Sequence, residues 1–179
     1  MPTQLTVLLV DNHEESLFAL ESALAPLGCA TRRAQSGEEA LKAVLRGGID
    51  LIILDVVMPG MTGVQVARHL HRLDQTAHIP VLLLTGLFRH TQLAEEAYEL
   101  QVRDILTKPL DPWLLRVKVA SHLRYLSRIG RLEAEVARGS AAAGGNGGPG
   151  AGSGAAGPGG EGGGTGGPSA RRAGPPPPL

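Results

Sequence analysis

Five short apolar runs punctuate the first part of the chain, and amphipathic stretches separate them. LTVLLVD (5–11), LIILD (51–55) and PVLLLT (80–85) are almost continuously apolar, the pattern of parallel strands covered on both faces. CATRRA (29–34) and VRDILT (102–107) are weaker strand candidates. Between the runs the apolar spacing turns helical. Leu17, Leu20, Leu24 and Leu27 recur at helical intervals ahead of Gly28, a natural terminator. Ser36 and Glu39 make a capping-box pattern in front of Ala40, Leu41, Val44 and Leu45. Val64, Ala67 and Leu70 mark a third helix, residues near 90–100 a fourth, and a long fifth begins at Asp111. Five strand–helix units predict an α/β fold, an open doubly wound parallel sheet with helices on both faces.

The pattern stops near Arg138, and from residue 139 onward the chain is nearly all Gly, Ala, Pro and Ser. Such a composition buries too little apolar surface to offset the roughly 1–2 kcal/mol per residue lost in ordering backbone. Residues 139–179 are therefore read as a disordered tail, with PPPP locally extended as polyproline II. Residues 1–128 form the candidate domain, and 129–138 lengthen its last helix. Along that helix Leu115, Val119, Leu126, Ile129, Leu132 and Val136 make an imperfect apolar stripe, broken by His122 and Gly130. Two readings of it stay open, a short coiled-coil linker and a frayed single helix; a weak homodimer is a separate expectation.

Charge changes this picture little. Lys and Arg number 17 against 17 Asp and Glu, so no bulk field points to nucleic acid or to an anionic membrane. Any DNA role is expected to run through a partner. The lone Cys29 excludes an internal disulfide and fits a reducing cytoplasm. The first apolar run meets Asp11 without a basic lead or a cleavage site, so no signal peptide is expected. No run approaches the ~20 apolar residues that span a bilayer. The expectation is a soluble cytoplasmic protein, standing alone without a DNA-binding or enzymatic output domain. The six histidines lack the i, i+4 spacing of a helical zinc site and are not read as ligands.

In an open α/β sheet, ligands bind beyond the carboxyl ends of the strands, near the point where strand order reverses. The polar residues ending the apolar runs are Asp11, Asn12, Asp55, Thr85 and Lys108. Two carboxylates beside an amide oxygen suit Mg²⁺, which takes hard oxygen ligands. A threonine hydroxyl and a lysine ammonium add a donor and a positive charge. Together they can stabilise the equatorial oxygens of a transferring phosphoryl group.

VLLVDN, LIILDVVMPGMTG, LLLTG and ILTKPLDP resemble the signature segments of bacterial response-regulator receiver domains, the family of the chemotaxis response regulator. The resemblance covers about residues 4–128. It implies a flavodoxin-like sheet of order 2-1-3-4-5 and a phosphorelay function. Carried over by position, it makes Asp55 the phosphoacceptor, Thr85 the switch hydroxyl and Lys108 the phosphoryl-binding lysine. Asp11, Asn12, Asp55 and the Val57 carbonyl would hold Mg²⁺. Pro59, Gly60 and Gly63 match the loop after the acceptor, and the Lys108–Pro109 bond is expected to be cis. The implied partners are a histidine kinase or phosphotransfer protein and a downstream protein target. No separate substrate is implied, since such a receiver catalyses its own phosphorylation.

Departures from the family pattern bear on the switch. Asn12 stands where a second acid is usual, Ile105 where an aromatic often reports the switch, and Leu110 where an aromatic often follows Lys-Pro. Val57 and Leu87 occupy the positions that border the path of a hydrolytic water, and neither can orient one. The first two departures favour an alternative, a pseudo-receiver that binds partners without a phospho-switch. A covalent hydrolase using Asp55 lacks both a second acid placed for general acid–base work and a substrate-specific insert.

Overall fold

Alternate residues of the central strands turn to opposite faces of the sheet, and each set finds its own apolar partners. The computed structural model describes residues 4–86, 95–96, 98–100 and 102–143. Its elements are β1 (Thr6–Val10), α1 (Glu14–Leu24), β2 (Ala30–Ala34), α2 (Gly37–Leu45), β3 (Leu51–Asp55), α3 (Gly63–His71), β4 (Val81–Thr85), β5 (Asp104–Thr107) and α4 (Pro112–Ala143). Leu8, Val10, Ile52, Leu54 and Leu83 pack with α2 and α3 through Val44, Val66 and Leu70. Val7, Leu9, Ile53, Leu82 and Leu84 pack with α1 and α4 through Leu17, Leu24, Leu115 and Val119. All five residues of β3 and of β4 are buried, which is why those runs lack polar alternation. Each fully buried aliphatic side chain contributes roughly 1.5–3 kcal/mol.

The strands pair in parallel in the order β2-β1-β3-β4-β5. The fold is the predicted flavodoxin-like doubly wound sheet, and the order reverses between β1 and β3. Four of the predicted helices lie within the described residues. Of the fourth in sequence, expected near 90–100, Glu95, Glu96, Tyr98, Glu99 and Leu100 are described; the first four are helical and Leu100 is a turn.

Two boundaries and one cap differ from the pattern. Helix α1 stops at Leu24 rather than Leu27, and Ala25–Leu27 form a 3-10 turn closed by Gly28 at φ 67°. Pro26 is the cause, since proline lacks an N–H to continue the helical ladder. Ser36 caps α2 by accepting from the Glu39 N–H, but the Glu39 carboxylate accepts from the Gln35 N–H, one residue early for a full box. A complete capping box occurs instead at Thr62 and Gln65, opening α3. At the other end, α4 runs to Ala143, past the predicted end at Arg138. The run Ala141, Ala142, Ala143 has the highest helix propensity of any residue type, and Ser140 Oγ donates to the Val136 carbonyl at 3.0 Å. Residues 139–143 are thus helix, and residues 144–179 of the expected tail lie outside the described residues.

The loop between β3 and α3 depends on one close approach. A methyl group added at Gly63 would stand 2.2 Å from the Asp55 carbonyl oxygen and 3.0 Å from Val56 Cα. The Gly63 N–H meanwhile donates to the Val56 carbonyl at 3.0 Å, so the backbone cannot retreat without losing that bond. Gly63→Ala should therefore lose about 1–3 kcal/mol of unfolding free energy in urea titration, the range of an overpacked core site.

Candidate functional site

The register of the sheet assembles the site. Val10 pairs with Leu54, so Asp11 and Asp55 follow side by side on the two strands flanking the reversal point. Both share the parity of Leu9 and Ile53 and lie toward the α1 and α4 face. On the far side β4 pairs with β5, Thr85 against Thr107, and the Lys108 N–H donates to the Thr85 carbonyl at 2.8 Å. Lys108 thus leaves β5 with the parity of the buried Leu106. The Lys108–Pro109 bond is cis, as expected.

Three of the predicted side chains meet directly. Lys108 Nζ donates to Asp11 Oδ2 at 3.0 Å and lies 3.1 Å from Asp55 Oδ2. Asp11, Asp55 and Thr85 are buried, with 0%, 3% and 1% of their surface exposed. Burial disfavours the ammonium of Lys108. Its hydrogen bonds to the two carboxylates, with their charges, outweigh that penalty and hold its pKa above the ordinary lysine value. For Asp11 burial also works toward the neutral form. The His13 N–H at 2.9 Å, the Lys108 ammonium and the His13 ring at 3.1 Å overcome it, leaving Asp11 below the usual carboxylate range.

His13 is the member that sequence reading missed. The signal was there in Asp11-Asn12-His13, because an aspartate accepting the backbone N–H two residues on makes an Asx turn. That turn fixes the orientation of Asp11 and starts α1 with His13 as its N-cap.

Asn12 Oδ1 is buried without a hydrogen-bond partner. A buried acceptor left unpaired costs about 1–3 kcal/mol unless something occupies it. With Asp11 and Asp55 nearby, the donor set is hard oxygen and fits a divalent cation such as Mg²⁺ better than a soft metal. Lys108 gathers two carboxylates, Asp11 and Asp55, and among the described residues no group of three or more His, Cys, Asp or Glu able to hold a metal ion is found. Glu14 does not make up the missing acid, for it pairs with Arg33 at 2.6 Å and also takes the Gln35 amide. Glu15 is exposed.

Val57, the fourth predicted ligand residue, is 59% exposed, and its N–H donates to Asp55 Oδ1 at 3.4 Å. Ile105 is partly buried against the α2–α3 core. Leu110 borders a largely apolar cavity of about 270 Å³ reaching Asp11 and Lys108. Leu87 lies outside the described residues.

With this geometry in place, comparison identifies the class. The sequence matches the response regulator receiver domain family over residues 7–120, and the chain belongs to that family. It is 36% identical over 133 residues to the response regulator PleD of Caulobacter vibrioides, covering 74% of this chain and 29% of PleD. It is 30% identical over 105 residues to the protein PilH of Pseudomonas aeruginosa, covering 59% of this chain and 86% of PilH. The solved chemotaxis response regulator CheY4 of Vibrio cholerae superposes with a TM-score of 0.62 at 28% identity, over 67% of this chain and 99% of that one. The chain spans under a third of PleD and about half, 51%, of the transcriptional regulatory protein AfsQ1 of Streptomyces coelicolor. What it shares with them is a two-component receiver domain, a class that in general has no separate substrate. Among the described residues no helix is long and apolar enough to cross a membrane.

The lowered pKa of Asp11 makes stability depend on pH with a defined sign. The folded state holds this carboxyl ionised more readily than the unfolded chain does. Its contribution is complete above the ordinary value of 3.8 and is lost as pH falls through the lower folded value. Urea unfolding across acidic pH should show this loss in the unaltered protein and a flatter profile in Asp11→Asn.

Proposed function

We propose that this receiver works as a phosphorylation-controlled switch, with Asp55 accepting a phosphoryl group from the phosphohistidine of a histidine kinase or phosphotransfer protein. The observation carrying this reading is Lys108 Nζ within 3.1 Å of both the Asp55 and the Asp11 carboxylates. An Asp55 oxygen forms the new P–O bond as the donor's P–N bond breaks, and the imidazole leaves. Lys108 supplies a fixed positive charge for the phosphoryl oxygens, in a pocket where burial strengthens it. Asp11, the orphaned Asn12 Oδ1, Asp55 and the Val57 carbonyl would hold Mg²⁺, which when bound neutralises charge on the transferring group. Thr85, buried at the end of β4, would bond the phosphoryl group through its hydroxyl and so alter the β4–β5 side of the surface. Output then passes to a downstream protein in the cytoplasm, without direct contact with nucleic acid.

A second reading, a pseudo-receiver that binds partners constitutively, is favoured by Asn12 and Ile105. Incubation with a small phosphodonor and Mg²⁺, followed by intact mass measurement, separates the two. The switch reading expects a phosphoryl mass gain that Asp55→Asn abolishes. No gain in the unaltered chain, or a full gain in Asp55→Asn, would reject it.

The metal assignment has its own check. Asn12→Asp restores a carboxylate where the lone amide oxygen stands and should tighten Mg²⁺ binding in calorimetry by about tenfold or more, since carboxylates carry most of the affinity for this cation. An unchanged or weaker affinity would remove Asn12 from the ligand set.

The lifetime of the phosphorylated state follows from Val57 and Leu87. Neither side chain can hydrogen-bond a water for in-line attack. Decay of the phosphorylated mass in excess chelator should accelerate at least about tenfold in the Val57→Asn, Leu87→Glu double variant, equivalent to ~1.4 kcal/mol of barrier. Equal rates would show that water reaches the phosphorus by another route.

A further inference from the structure

Helix α4 leaves the body after Leu123, the last of its buried residues, and continues to Ala143. Every described side chain from Arg131 onward is exposed. A solitary helical segment of this length is marginal in water unless an apolar face is covered. Such a face exists. Tyr125, Ile129, Leu132 and Val136 follow one another at steps of four, three and four, and Gly139 and Ala143 continue the alternation. At 100° per residue these positions share one narrow side of the helix. Tyr125, Leu132 and Val136 are 57%, 53% and 70% exposed.

The steps define a heptad register in which Ile129 and Val136 take position a, and Tyr125 and Leu132 take position d. β-branched residues at a with leucine at d favour two parallel strands over higher orders. The same register places Arg128 at g and Glu133 at e. In a parallel in-register pair, a g residue faces the e residue five positions on in the partner, so Arg128 would meet Glu133 of the second copy, twice by symmetry. Within one helix the two lie about 140° apart and cannot pair. Neither makes an ion pair or side-chain hydrogen bond among the described residues. The other arginines of this segment, Arg124, Arg131 and Arg138, all fall on the outer position c, away from the seam. One heptad before Tyr125 the d position is Lys118, already bonded to Asp104 at 2.6 Å. The seam therefore begins where the helix leaves the body.

We infer that α4 pairs two copies of this chain through a short parallel coiled coil built on Tyr125, Ile129, Leu132 and Val136 and keyed by reciprocal Arg128–Glu133 ion pairs. The inference is independent of phosphorylation. Gly130 and Gly139 keep the pair weak, because glycine lowers helix propensity and leaves the d position at 139 without a knob.

Sedimentation of the full chain over a wide concentration range tests this. A dimer that dissociates on dilution is expected, and Leu132→Asp should abolish it without altering the body, which that side chain does not touch. Arg128→Glu and Glu133→Arg should each weaken the dimer about tenfold, and the two together should restore it, because the reversed charges meet again. Gly130→Ala, where an added methyl meets nothing within 4 Å, should tighten it. On a Cys29→Ser background, Leu132→Cys should oxidise to a covalent dimer, and Ala134→Cys, on the outer face, should not. A monomer at every concentration would overturn the inference. So would a dimer indifferent to the charge reversals, or vesicle binding lost in Leu132→Asp while the protein stays monomeric.

Discussion

Two buried carboxylates sharing one ammonium set the terms for the rest of this molecule. Asp11 and Asp55 have almost no exposed surface, and Lys108 sits within hydrogen-bond distance of both. Either carboxylate alone in that position would face a desolvation penalty of several kcal/mol, and the pair would also repel each other. One lysine answers both difficulties while leaving the pocket with a net negative charge. An excess of acid over base suits a second cation, and the orphaned Asn12 Oδ1 points to the same need. His13 adds two donors to Asp11 from the turn that starts α1, so the charge cluster and the first helix hold each other in place.

Strand parity explains how a fold made mainly of aliphatic packing produces so polar a cluster. Odd-numbered residues of β1 and β3 face α1 and α4, and the row that buries Val7, Leu9, Leu51 and Ile53 ends in Asp11 and Asp55. A shift of one residue in either strand would turn that carboxylate to the α2–α3 face. The register is pinned at the opposite edge as well, where Asp50 accepts from the Thr6 N–H at 2.7 Å and the Asp50 N–H donates to the Thr6 carbonyl. At the functional edge Gly63 lets the loop after β3 fold back against the Asp55 carbonyl.

The same cluster is joined to α4 by a short stretch of chain. Lys108 is followed by the cis bond to Pro109, then by Leu110, which packs with the α1–α4 core, and the helix begins at Pro112. A second tie, Lys118 to Asp104, fastens the helix to β5. Through these contacts the strand carrying Lys108 and the helix that leaves the body are mechanically one unit.

Much of this was legible in the chain itself. Continuous apolar runs of four or five residues, each ending in Asp, Thr or Lys, specified a buried parallel sheet and the edge where chemistry gathers, because burial on both faces leaves polar residues only at strand ends. The matching motifs also specified the strand order and the cis proline. Local pattern could not place the end of α1, since Pro26 overrides a leucine spacing that continues through it, nor the end of α4, where alanine propensity outlasts the change in composition. Only the tertiary structure decided which distant side chains meet: that Lys108 bridges both aspartates and that Glu14 turns to Arg33 rather than to the missing acid. Those outcomes depend on register and on competition among partners far apart in sequence, and period and propensity carry no record of either.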